Sequence, residues 1–146
     1  MNNTMARRIF MAALMVTLGA AAAFACEMSF TLEGQSFTSM SIQPGSTVKL
    51  SEGQSYKLTV EFNEDHRNCK VPADETLFLL NGEKWRVNKE TQALLLKNVI
   101  EWDAVTNTKN VIVLEFTASV KGEQVIQIVR ECSKGGYDEE ITFVVE

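Results

Sequence analysis

The sequence has one histidine, three cysteines and no Cys-x-x-Cys pair. A blue-copper centre takes two histidines, a cysteine and a methionine, but His66 is the only histidine and no methionine follows Met40. A hydrolytic triad is not indicated either, because no serine or cysteine stands in the setting of a nucleophile elbow. The lack of Cys-x-x-Cys also argues against a thioredoxin-like motif. We therefore predict no catalytic residue, and the interpretation leans away from an enzyme.

Basic side chains are in the minority, since 14 lysines and arginines stand against 19 aspartates and glutamates and the formal net charge is −5. Arg7 and Arg8 are the only charged residues before Cys26, so the remainder of the chain carries −7. An acidic surface repels phosphate backbones and anionic lipid, which disfavours nucleic acid as a partner. No second long apolar run follows residue 25, and the sequence predicts no transmembrane span.

The first 25 residues have the layout of a secretory signal peptide. Arg7-Arg8 form a short basic lead, Ile9 to Phe24 are almost all apolar, and Ala23-Phe24-Ala25 is a small-x-small cleavage site. Removing 25 residues from a chain of 146 leaves 121, which is the usual size of one domain. We therefore predict an exported protein, periplasmic or extracellular, with a single domain at 26–146.

Cys26 directly follows the predicted cleavage site and leaves an alternative open. Lipoprotein processing also cuts before a cysteine, but it prefers leucine at the third position upstream and a small residue at the second. Ala23 and Phe24 occupy those positions. Ordinary cleavage after Ala25 fits better, and a lipid anchor at Cys26 stays as the alternative.

Alternation of apolar and polar residues is the strongest pattern in the mature chain. It runs through Met28–Leu32, Tyr56–Phe62, Ile112–Val120 and Ile141–Val145, with turn residues such as Asn81-Gly82 between the runs. Many short strands separated by regular turns predict an all-β fold, an antiparallel immunoglobulin-like β-sandwich of about seven to nine strands. Trp85 and Trp102 are expected in its core. The pattern leaves open whether residues 88–99 form a short helical turn or a buried strand.

The last third of the chain reads as two strands and a loop: Gly122–Cys132, Ser133–Gly136 and Asp138–Glu146. This arrangement is similar to exported immunoglobulin-like families such as the chagasin-like cysteine-protease inhibitors and the amino-terminal domain of the thiol–disulfide transporter DsbD. The resemblance implies the fold class. It does not extend to activity, because Asp65-His66-Arg67-Asn68-Cys69 stands where the inhibitors have Asn-Pro-Thr-Thr-Gly, and Tyr137 stands about where the DsbD-like domain has a second cysteine.

The order of the strands predicts where the chemically distinctive residues meet. The strands Tyr56–Phe62 and Gln124–Arg130 are second and sixth in the series, so they run in the same direction and end at the same pole. His66, Cys69 and Cys132 follow these strands and are expected to be neighbours. The first strand begins at this pole and brings Cys26 to it, provided that residues 34–50 form no extra strand or an extra hairpin of two strands. A single extra strand there would move Cys26 to the far end.

Three interpretations compete for this pole. The first is a structural Cys69–Cys132 disulfide, which closes a loop of about 62 residues and would stabilise the fold by roughly 4 kcal/mol through chain entropy. A bridge from Cys26 to Cys69 or to Cys132 is a variant of this interpretation. The second is a copper or zinc site, because His66-x-x-Cys69 and Cys132 offer imidazole and sulfur ligands. The third is thiol chemistry, either a redox-active pair of cysteines or Cys26 as a lone reactive thiol. The cations His66, Arg67 and Lys70 next to Cys69 would lower the pKa of its thiol.

The interpretation that we carry forward is a binding module. The polar residues Asp65, His66, Arg67 and Asn68 form a dense group on one loop, and Tyr137 adds an aromatic from the facing loop. Loops on a rigid scaffold are where proteins commonly carry recognition residues. We predict recognition of a cell-envelope protein or a small ligand there, with a Cys69–Cys132 disulfide as support. The alternative is a periplasmic copper- or zinc-binding protein that uses His66, Cys69 and Cys132.

Overall fold

The computed structural model describes residues 26–64, 71–131 and 136–146, with Cys26 described through its backbone only. Within these residues the elements follow in this order: β1 (Cys26–Gly34), β2 (Phe37–Ile42), β3 (Thr47–Leu50), β4 (Ser55–Glu64), one turn of 3-10 helix (Ala73–Glu75), β5 (Leu77–Leu80), β6 (Glu83–Lys84), β7 (Leu94–Leu96), β8 (Asp103–Ala104), β9 (Lys109–Ala118), β10 (Gly122–Arg130) and β11 (Tyr137–Val145).

The strands form two sheets that pack face to face. Sheet A has the order β2-β1-β4-β9-β7, with β8 also on β9, and sheet B has the order β3-β11-β10-β5-β6. The predicted all-β, immunoglobulin-like sandwich is confirmed. The described residues hold eleven strands where about seven to nine were expected, and the difference comes from short pieces, because β6 and β8 have two residues each.

The apolar positions of the alternating pattern are the positions whose side chains are buried. In the central strand β4, every second residue from Tyr56 to Phe62 is buried, and the residues between them are half-buried. The same phase holds in β9 and β11. Val120 is the exception: it continues the alternation of β9, but the strand ends at Ala118 and Val120 is 52% exposed. The expectation that Val120 faces the core was therefore wrong.

Asn81-Gly82, which the sequence marks as a turn, joins β5 and β6 in a tight hairpin. Both residues have positive φ, 52° and 82°, which is the geometry of a type I′ turn and matches the twist of the flanking strands. The Asn81 side chain also ties the turn to β10, donating to Oε1 of Gln124 at 2.7 Å and accepting from the N–H of Val125 at 2.8 Å. The strand after the turn is β6, which has two residues and ends at Lys84.

Of the two structures that the sequence left open for residues 88–99, a short helical turn or a buried strand, the structure has the buried strand. A turn closes where the N–H of Gln92 donates to the carbonyl of Lys89 at 2.9 Å, and the buried strand β7 follows. Asn98 then fastens the segment to β9, donating to the carbonyl of Val113 at 2.6 Å and accepting from the N–H of Glu115 at 2.8 Å.

The strand pairs of the described residues are antiparallel, except that β11 pairs with β3 in parallel. Their register runs from Thr142 opposite Thr47 to Val145 opposite Leu50. The closing strand β11 therefore lies between β10, which immediately precedes it in the chain order, and an early strand of the domain. Local alternation gives the buried face of β3 but not its partner.

Candidate functional site

Four strand ends meet at one end of the sandwich, which we call the Arg130 end. β4 ends there at Glu64, and β1 begins there, because Cys26 stands opposite Glu64 in the backbone register. β10 ends there at Arg130, which stands opposite Tyr137, the first residue of β11. Across the interior, Nη2 of Arg130 lies 3.7 Å from Oε1 of Glu64. Both internal gaps in the described residues therefore open from this end.

Arg130 faces the interior because it occupies the buried phase of β10. Gln124, Ile126 and Ile128 precede it at intervals of two, and all four side chains are buried. Arg130 itself is only 1% exposed. An arginine stays charged in proteins, so a guanidinium at this depth must be compensated by hydrogen bonds and opposite charge.

The guanidinium of Arg130 meets that requirement with partners from two other segments. Nη1 donates to the carbonyl of Pro72 at 3.0 Å and lies 3.4 Å from Oγ1 of Thr76, and Nη2 donates to the carbonyl of Val71. Its Cζ atom lies 4.1 Å from the centroid of the Phe62 ring, which is a cation–π distance. One side chain of β10 thus connects β4 with the segment that leads into β5.

That connecting segment is rigid for local reasons as well. Pro72 is extended, with φ −67° and ψ 158°, and the turn of 3-10 helix begins immediately after it. The N–H of Glu75 donates to the Pro72 carbonyl at 3.2 Å, and the N–H of Thr76 donates to the Ala73 carbonyl at 3.0 Å. The Pro72 carbonyl therefore serves both the turn and Arg130, so the turn and the guanidinium stabilise each other.

Tyr137 begins β11 beside Arg130 and packs against the core. Its hydroxyl is buried and has no hydrogen-bond partner among the described residues. Burial raises the pKa of Tyr137 well above its ordinary value, and the negative charge of Glu139 raises it further. The hydroxyl therefore stays protonated at neutral pH, and Tyr137 supplies an aromatic surface and a hydrogen-bond donor rather than a base.

A groove of about 310 Å³ opens on the outer face of sheet B next to this end. Val71, Leu77 and Val129 give it apolar walls, and Glu75 and Glu131 add carboxylates. Leu77 is 45% exposed, which is high for a leucine in a strand. Any ligand of the Arg130 end would therefore find apolar surface beside negative charge.

A larger cleft of about 440 Å³ lies at the opposite end of sheet A, where β1 ends and β4 begins. Charged side chains and the edges of two buried rings, Tyr56 and Phe116, line it. Lys57 and Glu33 pair across it at 2.6 Å. None of the residues that the sequence selects for a site lies there.

Most of the predicted site residues lie outside the described residues. These are Asp65, His66, Arg67, Asn68, Cys69 and Cys132. The structure does bring together the strand ends on which their two segments begin, as the Arg130 contacts with Glu64 and Phe62 demonstrate. Tyr137 is described and lies at the same end. The Cys69–Cys132 disulfide and the metal ligands stay predictions.

Neither a clustered metal-ligand set nor a membrane-spanning helix is present in the part of the chain that the structure describes. Over residues 26–64, 71–131 and 136–146, no three or more His, Cys, Asp or Glu side chains come close enough together to hold a metal ion. In the same part of the chain, no helix has the length and apolar character needed to cross a membrane.

Sequence reasoning missed the buried arginine around which this end is built. The signal was present: reading Val-Ile-Gln-Ile-Val-Arg with a period of two places Arg130 in the same phase as Ile126 and Ile128. A charged residue in an apolar phase is the informative exception in a strand, because it must have buried partners.

Comparison with known proteins adds one family and two distant structures. A model of the WKF domain matches residues 61–135, which is half of the chain. No curated protein sequence matches. Among solved structures, the Ig-like domain of human Obscurin-like protein 1 is 10% identical with a TM-score of 0.36, covering 88% of this chain and 93% of that one. Domains 4 and 5 of the S-layer protein SbsC are 9% identical with a TM-score of 0.36, covering 88% of this chain and 81% of that one.

Proposed function

The chain belongs to the WKF domain family, and we propose that it is an exported binding module that recognises a cell-envelope protein or a small ligand at its Arg130 end. The recognition surface comprises the segments 65–70 and 132–135 together with Tyr137. One observation carries this proposal: a buried guanidinium fixes the strand ends from which both segments leave.

A rigid base matters for recognition because a chain segment loses conformational freedom when it binds, and that loss weakens affinity. Arg130 reduces the loss by holding the chain on both sides of the first segment, at Glu64 before it and at Val71 and Pro72 after it. The second segment leaves from the residue next to Arg130 itself. A base that is already fixed adds no further loss of conformational freedom when a partner binds.

The composition of the two segments supports recognition by polar contacts. Asp65, His66, Arg67 and Asn68 offer both charges and several hydrogen-bonding groups, and Tyr137 offers an aromatic ring. A Cys69–Cys132 disulfide would tie the two segments to each other and is part of the proposal. Export, with Cys26 as the first mature residue and a lipid anchor there as the alternative, places that disulfide in an oxidising compartment.

Site-specific photo-crosslinking tests the proposal. A photoreactive amino acid is placed at Asn68 in one variant and at Val120 in another, each in the exported protein in its own cell envelope. Val120 is a matched control because it is exposed and lies on the turn before β10, at the opposite end of the domain. We expect a defined adduct from position 68, lost on adding His66→Ala, and none from position 120. Adducts from position 120 only would refute recognition at the Arg130 end.

The mass of the intact mature protein separates this proposal from its metal-binding alternative. A native mass that lacks two hydrogens relative to the reduced protein, with no added metal, indicates one disulfide and supports the recognition module. A fully reduced protein that carries copper or zinc, and loses it on His66→Ala, would instead support the use of His66, Cys69 and Cys132 as ligands. Added acyl mass at Cys26 would identify a lipoprotein.

A further inference from the structure

Residues 34–48 carry no ionisable side chain, in a chain where 23% of residues are charged. The stretch includes the whole of β2, which reads Phe-Thr-Ser-Met-Ser-Ile. Four of its six residues are exposed. Exposed strands of acidic proteins commonly carry charge, so an exposed and uncharged strand calls for an explanation in terms of what it contacts.

β2 is also an edge strand, since it pairs with β1 and with no other strand of the described residues. The other edges in this part of the chain are shorter and are protected. β3 carries Lys49, and β6 and β8 have two residues each and contain charged side chains. β7 has three residues, and Val87 covers it through a bridge to Leu96.

Natural sheets protect their edges with lysine, proline, bulges or very short strands, because a free row of N–H and C=O groups pairs readily with another strand. β2 has six residues and contains neither a charge nor a proline. The ladder to β1 has one irregularity, at the Gly34 end, and from Met40 to Ile42 the register is regular. From Met40 to Ile42, beyond this irregularity, the outward backbone groups of β2 therefore form a regular edge that no other strand of the described residues covers.

The exposure of the Met40 side chain also indicates that β2 could accept a further strand. It stands opposite Leu32, which is fully buried, so Met40 lies on the core-facing side of sheet A. It is nevertheless 38% exposed, because no strand continues the sheet beyond it. A further strand paired to β2 would extend the sheet beside Met40 and cover this apolar side chain.

The absence of charge on this edge is what makes a second copy of this chain a suitable partner. Residues 26–146 carry −7, so two copies that approach through most surfaces bring like charges together. The uncharged edge is where that repulsion is smallest. Antiparallel pairing of β2 with β2 about a two-fold axis uses the same surface on both copies, as closed dimers do.

We propose that β2 is a dimerisation edge, through which two copies join their six-stranded sheets A into one continuous sheet. Sedimentation velocity of the mature chain over a dilution series tests this. We expect a dimer that dissociates on dilution, and that runs as a monomer under denaturing, non-reducing conditions, which distinguishes it from a dimer linked through Cys26.

The decisive variant is Ser39→Lys with Ser41→Lys, which places like charges on the edge at two exposed positions. We expect its dimer dissociation constant to rise about tenfold or more, because like charges on paired strands repel. Thr91→Lys with Val120→Lys adds the same charge at exposed positions away from β2 and should leave the constant unchanged. A wild-type chain that is monomeric at every concentration refutes the proposal, even if an extended peptide binds β2. So does a dimer that the edge lysines leave intact.

Discussion

The guanidinium carbon of Arg130 lies 4.1 Å from the centroid of the Phe62 ring, so the last buried residues of β10 and β4 stack on each other between the two sheets. The contact joins sheet B to sheet A at the end where both internal segments leave. It places a permanent positive charge where an apolar side chain would otherwise close the core. The stability of this end therefore depends on how well that charge is compensated.

Arg130→Met tests this dependence. Methionine keeps the length and apolar stem of the side chain but removes the donors to the Val71 and Pro72 carbonyls and the positive charge near Glu64. We expect a loss of about 3 kcal/mol in the free energy of unfolding, measured by urea denaturation. Lys109→Met is the control, because Lys109 pairs with Glu61 at 2.7 Å on the surface, and such a pair is worth about 1 kcal/mol or less. Equal losses for the two variants would contradict our account.

The two tryptophans offer a second matched pair. Nε1 of Trp85 donates to the carbonyl of Leu94 at 2.7 Å inside the core, whereas Nε1 of Trp102 is buried without a partner among the described residues. Replacing each with phenylalanine removes the indole N–H and part of the ring. We expect Trp85→Phe to cost about 2 kcal/mol and Trp102→Phe about 1 kcal/mol or less. Chemical denaturation followed by circular dichroism measures both, and the reverse order would refute the prediction.

Gly34 is required by the close approach of Tyr56. A Cβ atom at position 34 would lie 2.8 Å from two ring carbons of Tyr56 and 3.2 Å from the ring of Phe37. Tyr56 cannot easily withdraw, because its ring stacks on Phe116 and its hydroxyl accepts from the N–H of Ser51 at 2.8 Å. We expect Gly34→Ala to lower the free energy of unfolding by about 1 to 3 kcal/mol.

The control for this substitution is Gly53→Ala, where the new methyl group meets open space and only the positive φ of 77° is unfavourable. That change should cost about 1 kcal/mol. Thermal and urea unfolding of both variants provide the comparison. A Gly34→Ala protein as stable as the wild type would mean that the Tyr56 ring moves freely at this position.

Tyr137 makes stability depend on alkaline pH. Its pKa is raised in the folded protein by burial and by Glu139, whereas in the unfolded chain it returns to an ordinary value of about 10. Below that value both states hold the proton and the contribution is constant. As the pH rises above about 10, the unfolded chain ionises first, so the free energy of unfolding falls.

We expect Tyr137→Phe to remove part of this alkaline decline without destabilising the protein at neutral pH, because the lost hydroxyl has no partner in the described structure. Unfolding curves of the wild type and of Tyr137→Phe at pH 8 to 11 measure the difference, and an equal decline in both would contradict the prediction.

Much of this fold could be predicted from the sequence because burial in a strand repeats every two residues. Phe62, Ile112 and Phe143 are buried where their patterns indicated. The same rule misplaced Val120, because alternation does not report where a strand ends, and the turn before Gly122 exposes that side chain. Three consecutive leucines, Leu94–Leu96, have no period, so their strand could not be distinguished from a helical turn.

The candidate site was harder to predict for a different reason. Its rigid base depends on contacts between residues far apart in sequence, such as Arg130 with Pro72 and with Glu64. Direction and order of the strands correctly brought the ends of β4 and β10 together. The proposed recognition residues Asp65 to Asn68, and the cysteines Cys69 and Cys132, lie outside the described residues and stay predictions.

The parallel pairing of β3 with β11 has a consequence for the order in which sheet B forms. Among the described residues β3 pairs with β11 and with no other strand, and β11 is the last of the eleven strands in the chain. Until residues 137–145 are available to the folding chain, sheet B has no strand to connect β3 with β10. Folding must wait for a contact between segments almost a hundred residues apart, and such distant contacts form slowly. Sheet B of this domain therefore closes only when both distant parts of the chain are present together.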